Sequence, residues 1–123
     1  MTDLVLIADD EEDILQLVRR VLERAGFEVV PARDGTQALE LAKARPPAVA
    51  VLDVTMPGLD GLEVVRQLRA YPPTAAVKVL ILTARAQQTD IDRATAAGAD
   101  DYLAKPFQAS DLRARVEALM ARS

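Results

Sequence analysis

Apolar residues follow two alternating patterns along this chain. Short runs with almost no polar interruption occur at Leu4–Ala8 (LVLIA), Ala48–Leu52 (AVAVL) and Val77–Leu82 (VKVLIL). Such runs predict strands buried on both faces of a parallel sheet. Between them the apolar positions take helical spacing: Ile14, Leu17, Val18, Val21, Leu22 and Ala25, followed by Gly26 where a left-handed cap is wanted. Phe27–Pro31 predicts a short strand, and Gly35–Arg45 a helix stopped by Pro46 and Pro47. Gly61–Ala70 carries Leu62, Val65 and Leu68 on one helical face before Pro72 and Pro73. A helix over Thr89–Ala97 ends at Gly98, Asp101–Ala104 is a short last strand, and Leu112, Val116, Leu119 and Met120 are the stripe of a final helix.

Strands regularly separated by helices favour right-handed crossovers, which makes this an α/β protein. The predicted architecture is a doubly wound five-stranded parallel sheet with five helices, in the flavodoxin-like order 2-1-3-4-5. That order sets the first and third strands side by side, where the winding reverses. Side chains just past the carboxyl ends of these strands then meet in one crevice. Asp9 and Asp10 follow the first run, Asp53 the third strand, Thr83 the fourth and Lys105 the fifth.

Composition narrows the chemistry. With 123 residues and 50% hydrophobic content, residues 1–123 are expected to form one domain with no room for a second. Fifteen basic against nineteen acidic residues give a net charge of -4, which argues against direct binding of nucleic acid or anionic lipid. No run is long enough to span a membrane and no signal peptide is visible, so a cytoplasmic location is expected. The absence of His and Cys removes imidazole and thiolate catalysis, thiolate or imidazole zinc sites, and disulfides. Carboxylate, hydroxyl and amine remain.

Glu11, Glu12 and Asp13 open a helix, where acids are favoured by free backbone amides and the helix dipole. Asp9 and Asp10 invite the same reading until Asp53 is brought beside them. Three carboxylates in one crevice repel one another, and a divalent cation resolves the repulsion. An oxygen-only, partly hydrated site suits Mg2+. Asp53 is then a candidate nucleophile toward phosphorus rather than only a turn former ahead of Met56-Pro57-Gly58. Lys105, before Pro106, is placed to pair with the acids or with a phosphoryl oxygen, and Thr83-Ala84 combines a hydroxyl with a small neighbour that lets a phosphoryl group approach.

With Asp9-Asp10, Asp53, Met56-Pro57-Gly58, Asp60-Gly61, Thr83-Ala84, Gly98-Ala99-Asp100-Asp101-Tyr102 and Lys105-Pro106-Phe107 in this order, the chain resembles a receiver domain of a two-component response regulator. The likeness covers essentially the whole sequence. It implies that Asp53 accepts a phosphoryl group from a histidine kinase or phosphotransfer protein. It further implies Mg2+ held by Asp10, Asp53 and the backbone carbonyl of Thr55, with Asp9 assisting through water. Lys105 would contact the phosphoryl group, Thr83 would move toward it as Tyr102 turns inward, and Thr55 and Arg85 would tune dephosphorylation. The chain would be a signalling switch, not an enzyme acting on a separate substrate.

The C-terminal part is similar to the receivers of winged-helix transcription regulators. This implies an output face on the fourth helix, fifth strand and fifth helix, serving a downstream protein or a C-terminal effector domain. Asp101, Asp111 and Arg115 are candidate dimer-face residues. Gln87 and Ile91 stand where that subfamily tends to carry basic residues, which leaves a monomer and a phosphorylation-dependent homodimer both open. The alternative function is a degenerate receiver acting only as a protein-interaction module. A phosphatase of the haloacid dehalogenase type wants an acid two positions after the nucleophile, where this chain has Thr55. A dinucleotide-binding domain wants a glycine-rich first turn, where it has Ala8-Asp9-Asp10-Glu11.

Overall fold

The computed structural model describes residues 3–84 and 87–122. The chain runs β1 (Leu4–Ala8), α1 (Glu12–Arg24), β2 (Glu28–Ala32), α2 (Gly35–Ala44), β3 (Val49–Asp53), α3 (Gly61–Ala70), β4 (Lys78–Thr83), α4 (Gln88–Ala97), β5 (Asp101–Ala104) and α5 (Ala109–Met120). The strands form one parallel sheet in the order β2-β1-β3-β4-β5. This is the predicted doubly wound order. A 3-10 turn at Pro72–Thr74 was not expected from the pattern. Its prolines stop α3, and the buried Thr74 hydroxyl closes the turn by donating to the Leu68 carbonyl at 2.7 Å.

Every residue of β1 and β3 is buried. Successive side chains leave opposite faces, so each run divides between two cores. Leu6, Ala8, Leu52 and Ile81 pack with Ala38 and Ala42 of α2, Val65 and Leu68 of α3, and Ala94 and Ala97 of α4. Val5, Ile7, Val51 and Leu82 pack with Leu15, Val18 and Leu22 of α1 and Leu112 and Val116 of α5. Continuous apolar runs are thus required because helices cover both faces.

The helix ends carry the punctuation seen in the sequence. Asp34 and Asp60 accept the N–H groups of Gln37 and Glu63, at 2.7 and 2.9 Å, at the starts of α2 and α3. Gly98 ends α4 at φ +108°, in the left-handed region.

Two boundaries shift in a way that matters for the site. Asp53 and Thr83 are the last residues of β3 and β4 rather than the first residues beyond them. Asp53 stands opposite Leu82, and Thr83 opposite Ala104, so the backbone ladder continues through both. A polar side chain is compatible with a strand here because this is the open end of the sheet.

Gly61 fixes the approach of α3 to that end. A Cβ at this position would lie 2.2 Å from the Asp53 carbonyl oxygen. Gly61→Ala is therefore expected to cost about 1–3 kcal/mol, as overpacking does. Thermal unfolding measures this, and an unchanged midpoint would refute it.

Candidate functional site

The carboxyl ends of β1, β3, β4 and β5 surround an open crevice. Asp10, Glu11, Asp53, Thr55, Thr83, Ala84 and Lys105 line it together with Val54, Asp90 and Arg93, enclosing a volume of about 450 Å³. Asp9 is 2% exposed and Asp53 5% exposed, whereas Asp10 is exposed to solvent. Carboxylate oxygens of Asp9, Asp10 and Asp53 come within 4.8 Å of one another. Four elements adjacent in space but distant in sequence supply the parts.

Lys105 is the local counter-charge. Its Nζ lies 3.0 Å from Asp9 Oδ2 and 3.3 Å from Asp53 Oδ2, with Glu11 Oε1 further out at 3.8 Å. The other Asp9 oxygen accepts the Glu11 N–H at 2.9 Å. The backbone N–H of Lys105 donates to the Thr83 carbonyl at 2.8 Å, and the Lys105–Pro106 bond is cis. Burial works against the lysine's charge, but the hydrogen bond to Asp9 and the charges of Asp53 and Asp9 outweigh it and hold its pKa above the usual value.

Asp53 feels the opposite balance. Burial raises its pKa, the Asp9 charge raises it further, and Lys105 with a backbone hydrogen bond from Thr55 only partly offsets them, leaving it at about 6. A folded-state pKa above the unfolded value of 3.8 means that the native state binds the extra proton, so stability falls as pH rises from about 4 through 6. Asp53→Asn, which keeps the shape and removes the charge, is expected to stabilise the metal-free protein at pH 7.5. A gain on the order of 2 kcal/mol follows from the shift once solvent access to the crevice is allowed for. The gain should shrink as pH falls through 6 and vanish below 4, where wild-type Asp53 is also neutral. Urea melts across this range check it; equal stability at pH 7.5 would contradict it.

All donor atoms in the acidic cluster are oxygens, two of the acids are buried, and one positive charge faces three negative ones. That donor set fits a hard divalent cation. Thr55, whose carbonyl completes the set implied by the resemblance, stands at the crevice with its side chain exposed. Thr83 is 9% exposed at the crevice wall. Tyr102 is half-buried and lines a small adjoining cavity of about 40 Å³ with Thr83, Ile81 and Ala94. Thr83 and Tyr102 are therefore neighbours of one space, as a coupled pair requires. Arg85 lies outside the described residues.

Of the candidate dimer-face residues, Asp101 and Arg115 pair within the chain. Arg115 Nη1 reaches the two Asp101 oxygens at 2.9 and 3.1 Å. Asp111 is exposed in the first turn of α5. Reading the sequence gave no site role to Asp90 or Arg93. Their spacing of three on α4 carries a weak signal, since it sets both on one helical face after the Thr83-Ala84 turn.

A family model for the response regulator receiver domain matches residues 5–117. The chain belongs to this family. Among curated relatives it is 42% identical over 123 residues to the alkaline phosphatase synthesis transcriptional regulatory protein PhoP of Bacillus subtilis, covering 100% of this chain and 50% of PhoP. It is 47% identical over 118 residues to the transcriptional regulatory protein PrrA of Mycobacterium tuberculosis, covering 96% of this chain and 50% of that protein. The receiver thus spans about half the length of these relatives. In structure it is similar to the chemotaxis response regulator CheY4 of Vibrio cholerae, with a TM-score of 0.92 and 32% identity over 97% of this chain and 99% of that one. The receiver domain of Francisella response regulator 1452 gives 0.90 and 34% over 97% of each chain. The receiver fold and the two-component family are thereby established. Among the described residues no helix is long and apolar enough to cross a membrane.

Proposed function

We propose that this receiver is a phosphoacceptor in which Asp53 takes a phosphoryl group from a histidine kinase or phosphotransfer protein. The observation that carries the reading is the setting of Asp53: a buried carboxylate at a strand end, 3.3 Å from the Lys105 ammonium and grouped with two more acids. In the reaction an Asp53 carboxylate oxygen forms the new bond to phosphorus as the donor's bond to phosphorus breaks, its electron pair leaving with the imidazole. Above pH 6 the nucleophile is ionised. Lys105 and the Thr83 hydroxyl, both at the crevice, would bind phosphoryl oxygens, and Thr55 beside them would order water for hydrolysis. Asp9, Asp10, Asp53 and the Thr55 carbonyl would hold Mg2+. Bound there, the ion would neutralise charge on the phosphoryl group.

The receiver would then be a switch whose substrate is its own side chain, and not an enzyme turning over a separate molecule. A phosphoryl group biases one of two arrangements only by interacting with it more strongly. The shared cavity of Thr83 and Tyr102 supports a path from Asp53 to α4, β5 and α5. Its reader would be a downstream protein or a C-terminal effector domain, in the cytoplasm, with the receiver a monomer or a phosphorylation-dependent homodimer. Covalent modification by a small phosphodonor with Mg2+, read by intact mass, tests the reading. No adduct under any condition would favour a receiver acting only as an interaction module.

A further inference from the structure

Among the described residues lining the crevice there are two cations, Lys105 and Arg93, against the acids Asp10, Glu11, Asp53 and Asp90. Lys105 is committed, with Asp9 and Asp53 both within 3.3 Å of its ammonium. Arg93 is exposed and enters no ion pair or hydrogen bond through its side chain among the described residues, even with Asp90 one turn earlier. Among the described residues, an anion approaching Asp53 therefore meets an acidic crevice with one uncommitted positive group at its rim.

The backbone that carries Arg93 is held. Ala94 and Ala97 are the buried residues of α4. Just beyond them Arg69 grips the end of the helix, its Nε and Nη2 donating to the Gly98 carbonyl at 3.1 and 2.8 Å. Its Nη2 also reaches Asp100 Oδ2 at 2.9 Å, and that same oxygen accepts the Val79 N–H at 2.8 Å. Arg93 lines the small cavity beside Tyr102 as well as the crevice. A long side chain spanning an apolar cavity and a polar rim lays its methylenes along the first and leaves its charge at the second. The guanidinium is thus carried on a packed helix and is unpaired among the described residues.

We infer that Arg93 is an electrostatic binding residue for anionic phosphodonors, drawing the phosphoryl group toward Asp53 past the crevice acids Glu11 and Asp90. The inference rests on the phosphoacceptor reading and adds a residue to it. With acetyl phosphate as donor, an Asp53 carboxylate oxygen bonds to phosphorus as the bond from phosphorus to the acetyl oxygen breaks, and acetate leaves with the electron pair. Arg93 exchanges no proton.

The test measures the second-order rate constant of adduct formation from acetyl phosphate at saturating Mg2+, for wild type, Arg93→Ala, Arg93→Lys and Arg113→Ala. Arg113 sits on α5 beside Glu117 and controls for the same change in net charge. At an ionic strength of about 0.02 M, Arg93→Ala is expected to lower the rate constant roughly three- to tenfold. The deficit should shrink at about 0.3 M, where charges are screened within a few ångströms. Arg93→Lys should keep most of the rate, and Arg113→Ala should leave it unchanged. A purely structural role would not follow ionic strength. Arg93→Ala equal to wild type at low salt, or an equal loss in Arg113→Ala, would overturn the inference while a phosphorylated wild type left the parent reading standing. A wild type that gains no phosphoryl group would overturn both.

Discussion

Incubated with Mg2+ and acetyl phosphate, wild-type protein is expected to gain the mass of one phosphoryl group, and Asp53→Ala none. The expectation is close to all-or-none because the substitution removes the attacking oxygen itself. Asp9 is no substitute, since both of its oxygens are engaged, one with Lys105 and one with the Glu11 N–H. Asp10 is exposed and lacks the ammonium contact that Asp53 has. Chelating the metal should suppress the adduct on wild type. An adduct that persists on Asp53→Ala would reassign the acceptor.

The second large effect is expected from Lys105→Met. The substitution keeps an unbranched side chain but removes the ammonium from between Asp9 and Asp53. Breaking a fully buried pair costs about 3–5 kcal/mol, and the access of solvent to this open crevice lowers that to about 2–3 kcal/mol in metal-free buffer at pH 7.5. Since the folded-state pKa of Lys105 lies above its usual 10.5, the stabilisation lost is present throughout neutral pH and disappears in wild type only at higher pH. A midpoint lower by roughly 10 °C is the expected reading in a thermal melt. Mg2+ should recover much of it by supplying the missing positive charge.

The same variant should move the chemistry. Lys105 lowers the pKa of Asp53 through its charge and its hydrogen bond, so without it the carboxyl is pushed above its value of about 6. The pH at which phosphorylation becomes half-maximal should rise accordingly when donor attack is measured at low Mg2+. A Lys105→Met protein as stable as wild type without metal would mean that the acids are neutralised by something other than this lysine.

Much of this protein is readable from its sequence, for reasons that differ between elements. Helix α3 and strand β5 have the predicted bounds because Gly61 and Pro72 bracket one and Gly98 precedes the other. The cap at Gly98 is equally local, since its positive φ of +108° is readable as a glycine requirement at a helix end. Boundaries that depend on a partner strand were less legible. Asp53 and Thr83 read as loop residues because they are polar, yet the neighbouring strands extend the ladder through them. Nothing local to Pro72–Thr74 announces the turn that Thr74 closes against Leu68.

The site divides along the same line. The residue types of Asp9, Asp10, Asp53, Thr83 and Lys105, and their place at the ends of apolar runs, were enough to identify the crevice and its class of chemistry. The hierarchy within it was not visible. Adjacent in sequence, Asp9 and Asp10 differ sharply, one buried against Lys105 and the other facing water at the same crevice. Asp101 and Arg115, candidates for a face between copies, also pair within one chain, a contact that the sequence alone does not specify.

By itself, the sequence determined the alternation of strand and helix, the parallel winding order and the membership of a carboxylate, hydroxyl and ammonium set, since periodicity, chain punctuation and residue chemistry are local properties. The tertiary structure alone decided which acid shares the lysine, how far Asp53 is pushed toward neutrality, and that Arg93 stands at the mouth of the crevice. Those depend on distance and burial across elements that the chain separates by dozens of residues, and Coulomb interaction and desolvation are set by that geometry.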